Sequence, residues 1–374
     1  MKGKMNSKQV KIVISGGGTG GHIFPAIAIA DTLKKRFPQA EILFIGAKNR
    51  MEMDRVPKAG YSIEGLWISG FKRELSLDNL SFPFKLISSM IKARKILKRF
   101  KPDVVIGVGG FASGPTMKTA ASLGIPIVMQ EQNSYPGVTN KIVSKKASVI
   151  CVAYENMEQW FPKDKIVLTG NPLRNNIVSL DDKKDEARRY FNLKPDKKTI
   201  LLVGGSQGAL GINRGISAQI ASFKEKDCQM IWQTGKHYYD QAVQEVIDNG
   251  LQDRIKCTVF IDRMDLAYAA ADVVISRAGA MSISELSLLN KAVVFVPLPT
   301  AAEDHQTKNA MSLVNANAAI MVKNSETEKE LLPTVFGLLE DEERQNEMKN
   351  NIARFSKPNA AEDIVDQIEK ILNR

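Results

Sequence analysis

The sequence predicts an α/β protein of two Rossmann-like domains, each a parallel sheet covered by helices. Three observations carry this. Short β-branched runs alternate with helical stretches from one end to the other, the pattern of strands buried on both faces. The opening series of strand, glycine-rich turn and helix at "KIVISGGGTGGHIFPA" returns at "TILLVGGSQGALGIN". At 374 residues the chain also exceeds the size at which one core stops growing.

Taken in order, "KIVIS" (11–15) reads as a strand and "FPAIAIADTLKKRF" (24–37) as the helix after it. "EILFIG" (41–46), "PDVVIGVG" (102–109), "IPIVMQ" (125–130) and "ASVICVA" (147–153) continue the first sheet. Residues 170–198, "GNPLRNNIVSLDDKKDEARRYFNLKPDKK", replace the β pattern with charge, Asn and Pro, which marks a linker. Beyond it "TILLVGG", "CQMIWQTG", "ADVVISRAG" and "AVVFVPLP" build a second sheet. The domains expected are 1–170 and 171–374.

Hydrophobic content of 44% and charged content of 25% are those of an ordinary globular protein. Cys151, Cys228 and Cys257 lie far apart without matching histidines, against a disulfide framework or a zinc site. The start "MKGKMNSKQVKIVIS" is basic, but its apolar run is too short for a signal peptide, and no export is expected. No stretch reads as a membrane span, because five glycines, a proline and a histidine interrupt the uncharged run 12–30. The net charge of +11 divides into +14 for residues 1–170 and −3 for the rest. An anionic partner on the first half follows, either nucleic acid or an acidic membrane surface.

"GGGTGGH" (16–22), "GVGGFASGP" (107–115) and "GGSQGA" (204–209) each follow a strand, where helix N-termini offer N–H groups to anions. None is a complete nucleotide fingerprint, and tight turns without a ligand would look the same. Three such strand ends suggest a long cleft between two domains. Glu285, early in the helix that begins near Ala280, could accept hydrogen bonds from a ribose diol; a plain helix-dipole glutamate is the alternative. Residues 71–101 combine Leu80, Phe82, Phe84, Ile87, Met90 and Ile91 with Lys72, Arg73, Lys85, Lys92, Arg94, Lys95, Lys98 and Arg99. That is an interfacial element for an anionic leaflet, or a core-facing helix with a solvated cationic face.

"GGGTGGHIFPA", "GVGGFASGP", "EQNSYPGVTNK", "GNPLR", "GGSQGALGIN", "SRAGAMSISEL" and "EDHQTKNA", in this order over nearly the whole chain, resemble the MurG family. The resemblance implies the GT-B fold, with two parallel sheets facing across a cleft and the last helix (about 358–374) returning to the first domain. It implies transfer of N-acetylglucosamine from UDP-GlcNAc to the C4 hydroxyl of MurNAc in undecaprenyl-pyrophosphoryl-MurNAc-pentapeptide, the lipid I to lipid II step of peptidoglycan synthesis. The first domain would hold the acceptor and the membrane, the second the donor. For the donor it implies Arg174 and Ser206 on the pyrophosphate and Ile261 packed on uracil and bonded to it through its backbone. Ala280, Met281, Ser282, Ile283, Ser284 and Glu285 would hold the nucleotide, with Glu285 on the ribose. Gln306 would meet the GlcNAc hydroxyls, with His305 standing where the family often has a second Gln. Thr19, Gly20, Gly21 and Asn133 would lie near the transferred sugar and acceptor.

An α-linked donor and a β-linked product imply one inverting displacement, which needs a base and a stabilised leaving diphosphate. His22 is the candidate base because it ends the first glycine loop and titrates near neutral pH; otherwise it caps or orients that loop. Glu131 is a second candidate base, or else the residue that holds the Asn133 loop. With no D-x-D motif, Arg174, N–H groups in 204–208 and a helix dipole would meet the leaving charge without a metal or other cofactor. Phe82, Phe84, Lys92 and Lys95 would touch an anionic leaflet, placing a peripheral protein on the cytoplasmic face of the bacterial inner membrane. Partners among cell-wall synthesis and division proteins are expected, and nucleic acid is not, since no base-stacking aromatic cluster is evident. The rival enzymes are a UDP-GlcNAc 2-epimerase, which has no lipid acceptor, and a diacylglycerol glycolipid synthase.

Overall fold

Val, Ile and Leu fill the strands because helices cover each sheet on both faces. The computed structural model describes residues 9–70, 81–173, 180, 183–205, 208–301 and 304–373. The chain divides into two units, Met1–Arg174 with Asn359–Arg374, and Asn175–Pro358.

In the first unit the strands are β1 (Lys11–Ser15), β2 (Glu41–Ala47), β3 (Ser62–Leu66), β4 (Val104–Gly107), β5 (Ile127–Glu131), β6 (Val149–Val152) and β7 (Ile166–Leu168). They pair in parallel in the order β3-β2-β1-β4-β5-β6-β7. The helices are α1 (Gly20–Arg36), α2 (Glu52–Lys58), α3 (Phe82–Phe100), α4 (Ser113–Ser122) and α5 (Val138–Val143). The chain winds outward from β1 in one direction and resumes at β4 in the other, so β1 and β4 flank the switch point where α/β sheets bind ligands. Ser15 pairs with Gly107 in register, which brings the glycine-rich loops after both strands level with each other.

The second unit repeats the plan with α6 (Lys184–Tyr190), β8 (Lys198–Val203), α7 (Leu210–Ala218), β9 (Cys228–Gln233), α8 (Tyr239–Asp248) and β10 (Ile255–Thr258). It continues through α9 (Met264–Ala270), β11 (Val273–Ser276), α10 (Ala280–Leu288), β12 (Ala292–Phe295), α11 (His305–Val314), β13 (Ile320–Met321), α12 (Thr327–Glu340) and α13 (Glu342–Ala353). The parallel order is β10-β9-β8-β11-β12-β13, which puts the switch point between β8 and β11. Ser276 pairs with Val203 on one side and Phe295 on the other, so these three strand ends are level.

The last helix, α14 (Ala360–Leu372), belongs to the first unit and packs on α1. Ile364, Val365 and Ile368 are fully buried in one core cluster with Ile29 and Leu33. Each such aliphatic contributes about 1.5–3 kcal/mol. Arg36 at the end of α1 reaches both Asp366 (3.0 Å) and Glu369 (2.8 Å). Among the described residues no helix is long and apolar enough to cross a membrane.

Candidate active site

The two glycine loops of the first unit interlock. Gly17 N–H donates to the carbonyl of Gly109 (3.3 Å), and Gly110, at φ +86°, lies so close to the Gly17 carbonyl that any Cβ would overlap it. Thr19 precedes α1, and its carbonyl accepts from the amides of His22 and Ile23, both at 3.2 Å. His22 therefore sits in the first turn, its Nδ1 3.1 Å from Thr19 Oγ1. Its ring lies against the bare Cα of Gly109, where a Cβ would stand 2.6 Å from Cδ2 and 2.8 Å from Nε2. Gly20 and Gly21 form the helix start between Thr19 and His22.

A carboxylate absent from the sequence reading secures this loop. Glu52, buried at the start of α2, accepts from Gly18 N through Oε2 and from Ala47 N through Oε1, both at 2.9 Å. The motif around it, "RMEMDRV", carries no periodic or spacing signal; its only sequence hint is a glutamate placed just after a strand.

Glu131, at the end of β5, is 2% exposed. Its Oε1 accepts from Asn133 N (3.1 Å) and Nδ2 (3.3 Å), and its Oε2 from Asn140 Nδ2 (2.8 Å) and Gly137 N (3.3 Å). Burial pushes its pKa up, while these donors pull the other way. The carboxylate thus folds the 133–140 loop around itself. Asn133 is held by it through both its main-chain and its side-chain amide. Beside it, Gln132 donates to the Val108 carbonyl (2.7 Å), tying β5 to the loop after β4.

In the second unit, Gly208 N–H donates to Gly205 O (2.9 Å) and Gln233 Nε2 to the same carbonyl (3.2 Å), shaping the turn after β8. Arg174 and Ser206 lie outside the described residues. Gly279 precedes α10, whose first residue is Ala280; Ile283 N–H returns to the Gly279 carbonyl (3.0 Å) and Ser284 Oγ to that of Ala280 (3.0 Å). Ala280 and Ile283 are buried, and Met281, Ser282, Ser284 and Glu285 are half-buried. Glu285 Oε2 accepts from the Tyr268 hydroxyl at 3.0 Å. Gln306, in the first turn of α11, accepts from Leu298 N (2.9 Å) next to His305.

The Ile261 side chain is 3% exposed and packs into the core with Ala267 and Ile283. The exposed apolar neighbours are Val259 and Phe260. The loop is pinned by Arg263, whose Nε and Nη2 each reach Asp265 at 2.9 Å, and Lys183 adds a third bond at 2.9 Å. Arg263 chiefly holds the Asp265 carboxyl well below the usual range. Arg277 spans the ends of β12 and β13, donating to Val296 O (3.0 Å), Pro297 O (3.1 Å) and Asn324 Oδ1 (2.8 Å); burial lowers its pKa to about 10. Among the described residues no three His, Cys, Asp or Glu side chains gather as metal ligands would.

Residues 12–152 match the glycosyltransferase family 28 N-terminal domain and residues 199–367 the glycosyltransferase family 28 C-terminal domain. The UDP-N-acetylglucosamine–N-acetylmuramyl-(pentapeptide) pyrophosphoryl-undecaprenol N-acetylglucosamine transferase of Parabacteroides distasonis is 55% identical over 368 residues, 98% of this chain and 100% of that one. The crystal structure of MurG from Acinetobacter baumannii is similar at a TM-score of 0.78 and 30% identity, covering 96% of this chain and 99% of that one. The chain belongs to the MurG family of glycosyltransferases. Likeness to the UDP-GlcNAc 2-epimerase of Neisseria meningitidis, at a TM-score of 0.68 and 18% identity over 97% of this chain and all of that one, is a likeness of fold alone.

In this MurG-family chain the helix expected at the membrane divides its residues differently from the sequence reading. Ser89, Ala93, Ile96 and Leu97 of α3 face the core. Phe84 (71%), Ile87 (58%) and Ile91 (54%), spaced by three and four, form the exposed apolar stripe. Phe82 packs against the core instead, one helical residue-step of 100° per position having turned it away. Lys92 is half-buried and donates to the Gly65 carbonyl (2.8 Å), and Arg99 pairs with Glu64; both are thereby bound to β3. Lys95 and Lys98 are exposed. Lys72, Arg73 and Leu80 lie outside the described residues.

Proposed function

We propose that this chain transfers N-acetylglucosamine from UDP-N-acetylglucosamine to undecaprenyl-pyrophosphoryl-MurNAc-pentapeptide, forming a β linkage to the MurNAc C4 hydroxyl. This is the lipid I to lipid II step of peptidoglycan synthesis. The observation that carries it is full-length identity of 55% to a transferase named for that donor and acceptor. The site geometry within each unit is consistent with it.

In this reading the first unit, about 1–170 with the last helix, serves the acceptor, and the second serves the donor. Backbone N–H groups of the first glycine loop receive the acceptor's diphosphate. His22 carries its proton on Nδ1, donating to Thr19 Oγ1, and its Nε2 lone pair takes the proton of the MurNAc C4 hydroxyl. That oxygen attacks the anomeric carbon as the bond to UDP breaks. The negative charge developing on the diphosphate is met by Arg174, Ser206, backbone N–H groups in 204–208 and the N-terminus of α10, without a required metal ion. Glu285 accepts from the ribose, the Ile261 main chain meets uracil, Ala280 to Ser284 flank the nucleotide, and Gln306 with His305 meets the sugar hydroxyls. Glu131 acts by holding Asn133 in place.

The lipid acceptor places the protein at the cytoplasmic face of the membrane. Phe84, Ile87 and Ile91 enter the interface while Lys95 and Lys98 meet anionic headgroups. Exposed Val138 and Ile142, one turn apart on α5 with Lys145 and Lys146 following, extend the same apolar and basic chemistry. Cell-wall synthesis or division proteins are the expected protein partners.

The test is transfer of labelled N-acetylglucosamine to a lipid-pyrophosphoryl-MurNAc-peptide in EDTA, with an acceptor-free control. A β-linked disaccharide product is expected. Consumption of UDP-GlcNAc without acceptor, and no disaccharide, would turn the reading toward an epimerase or hydrolase.

A further inference from the structure

We propose that Tyr268 is a positioning residue for the donor's ribose: its buried hydroxyl orients the Glu285 carboxylate so that the site selects a ribonucleotide over a 2′-deoxyribonucleotide. The inference rests on the reading of Glu285 as the ribose ligand.

Tyr268 is 2% exposed, and its ring belongs to the same core cluster as Leu266, Ile283 and Leu286. Leu286 directly follows Glu285, so the core that fixes the ring also fixes the backbone bearing the carboxylate. The phenol oxygen lies 3.0 Å from Glu285 Oε2 and donates to it. One turn before Tyr268 on α9, Asp265 is held by Arg263 and Lys183, which anchors the helix at its start. Donor and acceptor are thus both mounted on rigid elements, and a charge-assisted bond between them sets the carboxylate plane. Burial, and then the charge of Glu285, push the phenol's pKa well above its usual value, so the hydroxyl keeps its proton.

A carboxylate that must accept from two vicinal hydroxyls needs both oxygens at fixed positions. The last torsion of a glutamate is a broad well, and the bond from the phenol is one constraint that narrows it. Removing the hydroxyl should therefore weaken a ligand that offers the full diol and leave one that lacks the 2′-hydroxyl nearly unaffected. A general loosening of the core would weaken both alike.

The experiment measures binding of UDP and of 2′-deoxy-UDP to the full chain, wild type and Tyr268→Phe, by calorimetry. Wild type is expected to favour UDP by about tenfold or more, the order for one hydrogen bond to a charged group. Tyr268→Phe should weaken UDP about tenfold, leave 2′-deoxy-UDP within about twofold, and add nothing further in a Glu285→Ala background. An unchanged preference in Tyr268→Phe overturns the role of Tyr268 while leaving Glu285 on the ribose. A wild type without any preference overturns the ribose reading itself, and the inference with it. Should Tyr268→Phe fail to fold, 3-fluorotyrosine at position 268 keeps ring and donor. Its ¹⁹F resonance should then move with UDP more than with 2′-deoxy-UDP, and equal responses would refute the proposal.

Discussion

Glu52 holds Gly18. One carboxylate oxygen accepts from the Gly18 amide at 2.9 Å while the other accepts from Ala47 at 2.9 Å, so the first glycine loop is fastened to the end of β2. Hydrogen bonds to a charged group are worth about 1.5–3 kcal/mol each. Glu52→Gln keeps one acceptor and turns an NH₂ toward the other amide. It should lower stability by about 2 kcal/mol and reduce transfer more than tenfold, with UDP affinity unchanged. Thermal melts and calorimetry with UDP check this; weakened UDP binding would contradict the assignment of the loop to the acceptor.

Gly109 gives His22 its place. A Cβ at that position would stand 2.6 Å from the ring, at a backbone φ of +91°. Gly109→Ala should displace the imidazole and reduce kcat on the order of a hundredfold, the size of a misplaced general base. The KM for UDP-GlcNAc should stay within about twofold. Steady-state kinetics with donor and acceptor varied separately distinguish the two effects.

Lys291 makes stability depend on alkaline pH. Its ammonium donates to the Ala271 carbonyl (2.9 Å), and burial pushes its pKa down to about 8. Since the folded value lies below the unfolded one, near 10.4, the folded state binds fewer protons between them. Stability from this group is therefore gained as pH rises from 8 toward 10.4 and lost as pH falls through 8. The size is about 3 kcal/mol. Lys291→Met should be more stable than wild type at pH 7, with the difference shrinking by pH 10. Urea unfolding across that range measures it, and a difference constant with pH would exclude the mechanism.

Charge at the membrane should reside in the exposed lysines of α3. Lys95→Gln and Lys98→Gln should each weaken binding to anionic vesicles about fivefold, the equivalent of about 1 kcal/mol per cation. Lys92→Gln, which loses its bond to Gly65, should lower the melting temperature and change vesicle binding less. Co-sedimentation with anionic and neutral vesicles separates the cases; equal losses for all three would mean that the position of Lys92 carries no distinction.

What sequence could disclose depended on how far apart the cooperating residues lie. The first glycine loop, Thr19 and His22 form one continuous stretch between a strand and a helix, and their arrangement is written in local chemistry. Glu52 meets Gly18 only because β2 pairs with β1, a long-range event with no local mark. Tyr268 and Glu285 likewise meet through the packing of α9 and α10 onto one core. On α3 the composition announced an apolar and basic helix, but not which face is which. The small and aliphatic stripe Ser89, Ala93, Ile96 and Leu97 takes the core, and this alone turns Phe82 and Lys92 inward and leaves Phe84 out. The burial of Ile261 with Ala267 and Ile283 is likewise a matter of long-range packing, with no mark in the local sequence.

In the proposed reaction His22 accepts the acceptor's proton during sugar transfer. The most direct measurement is the pH profile of labelled N-acetylglucosamine transfer to the lipid-linked acceptor by wild type and His22→Gln, with UDP-GlcNAc affinity determined for both. A loss of about a hundredfold or more is expected for His22→Gln, with unchanged donor affinity and no acidic limb in the variant's profile. A His22→Gln enzyme with near wild-type turnover across pH would contradict it.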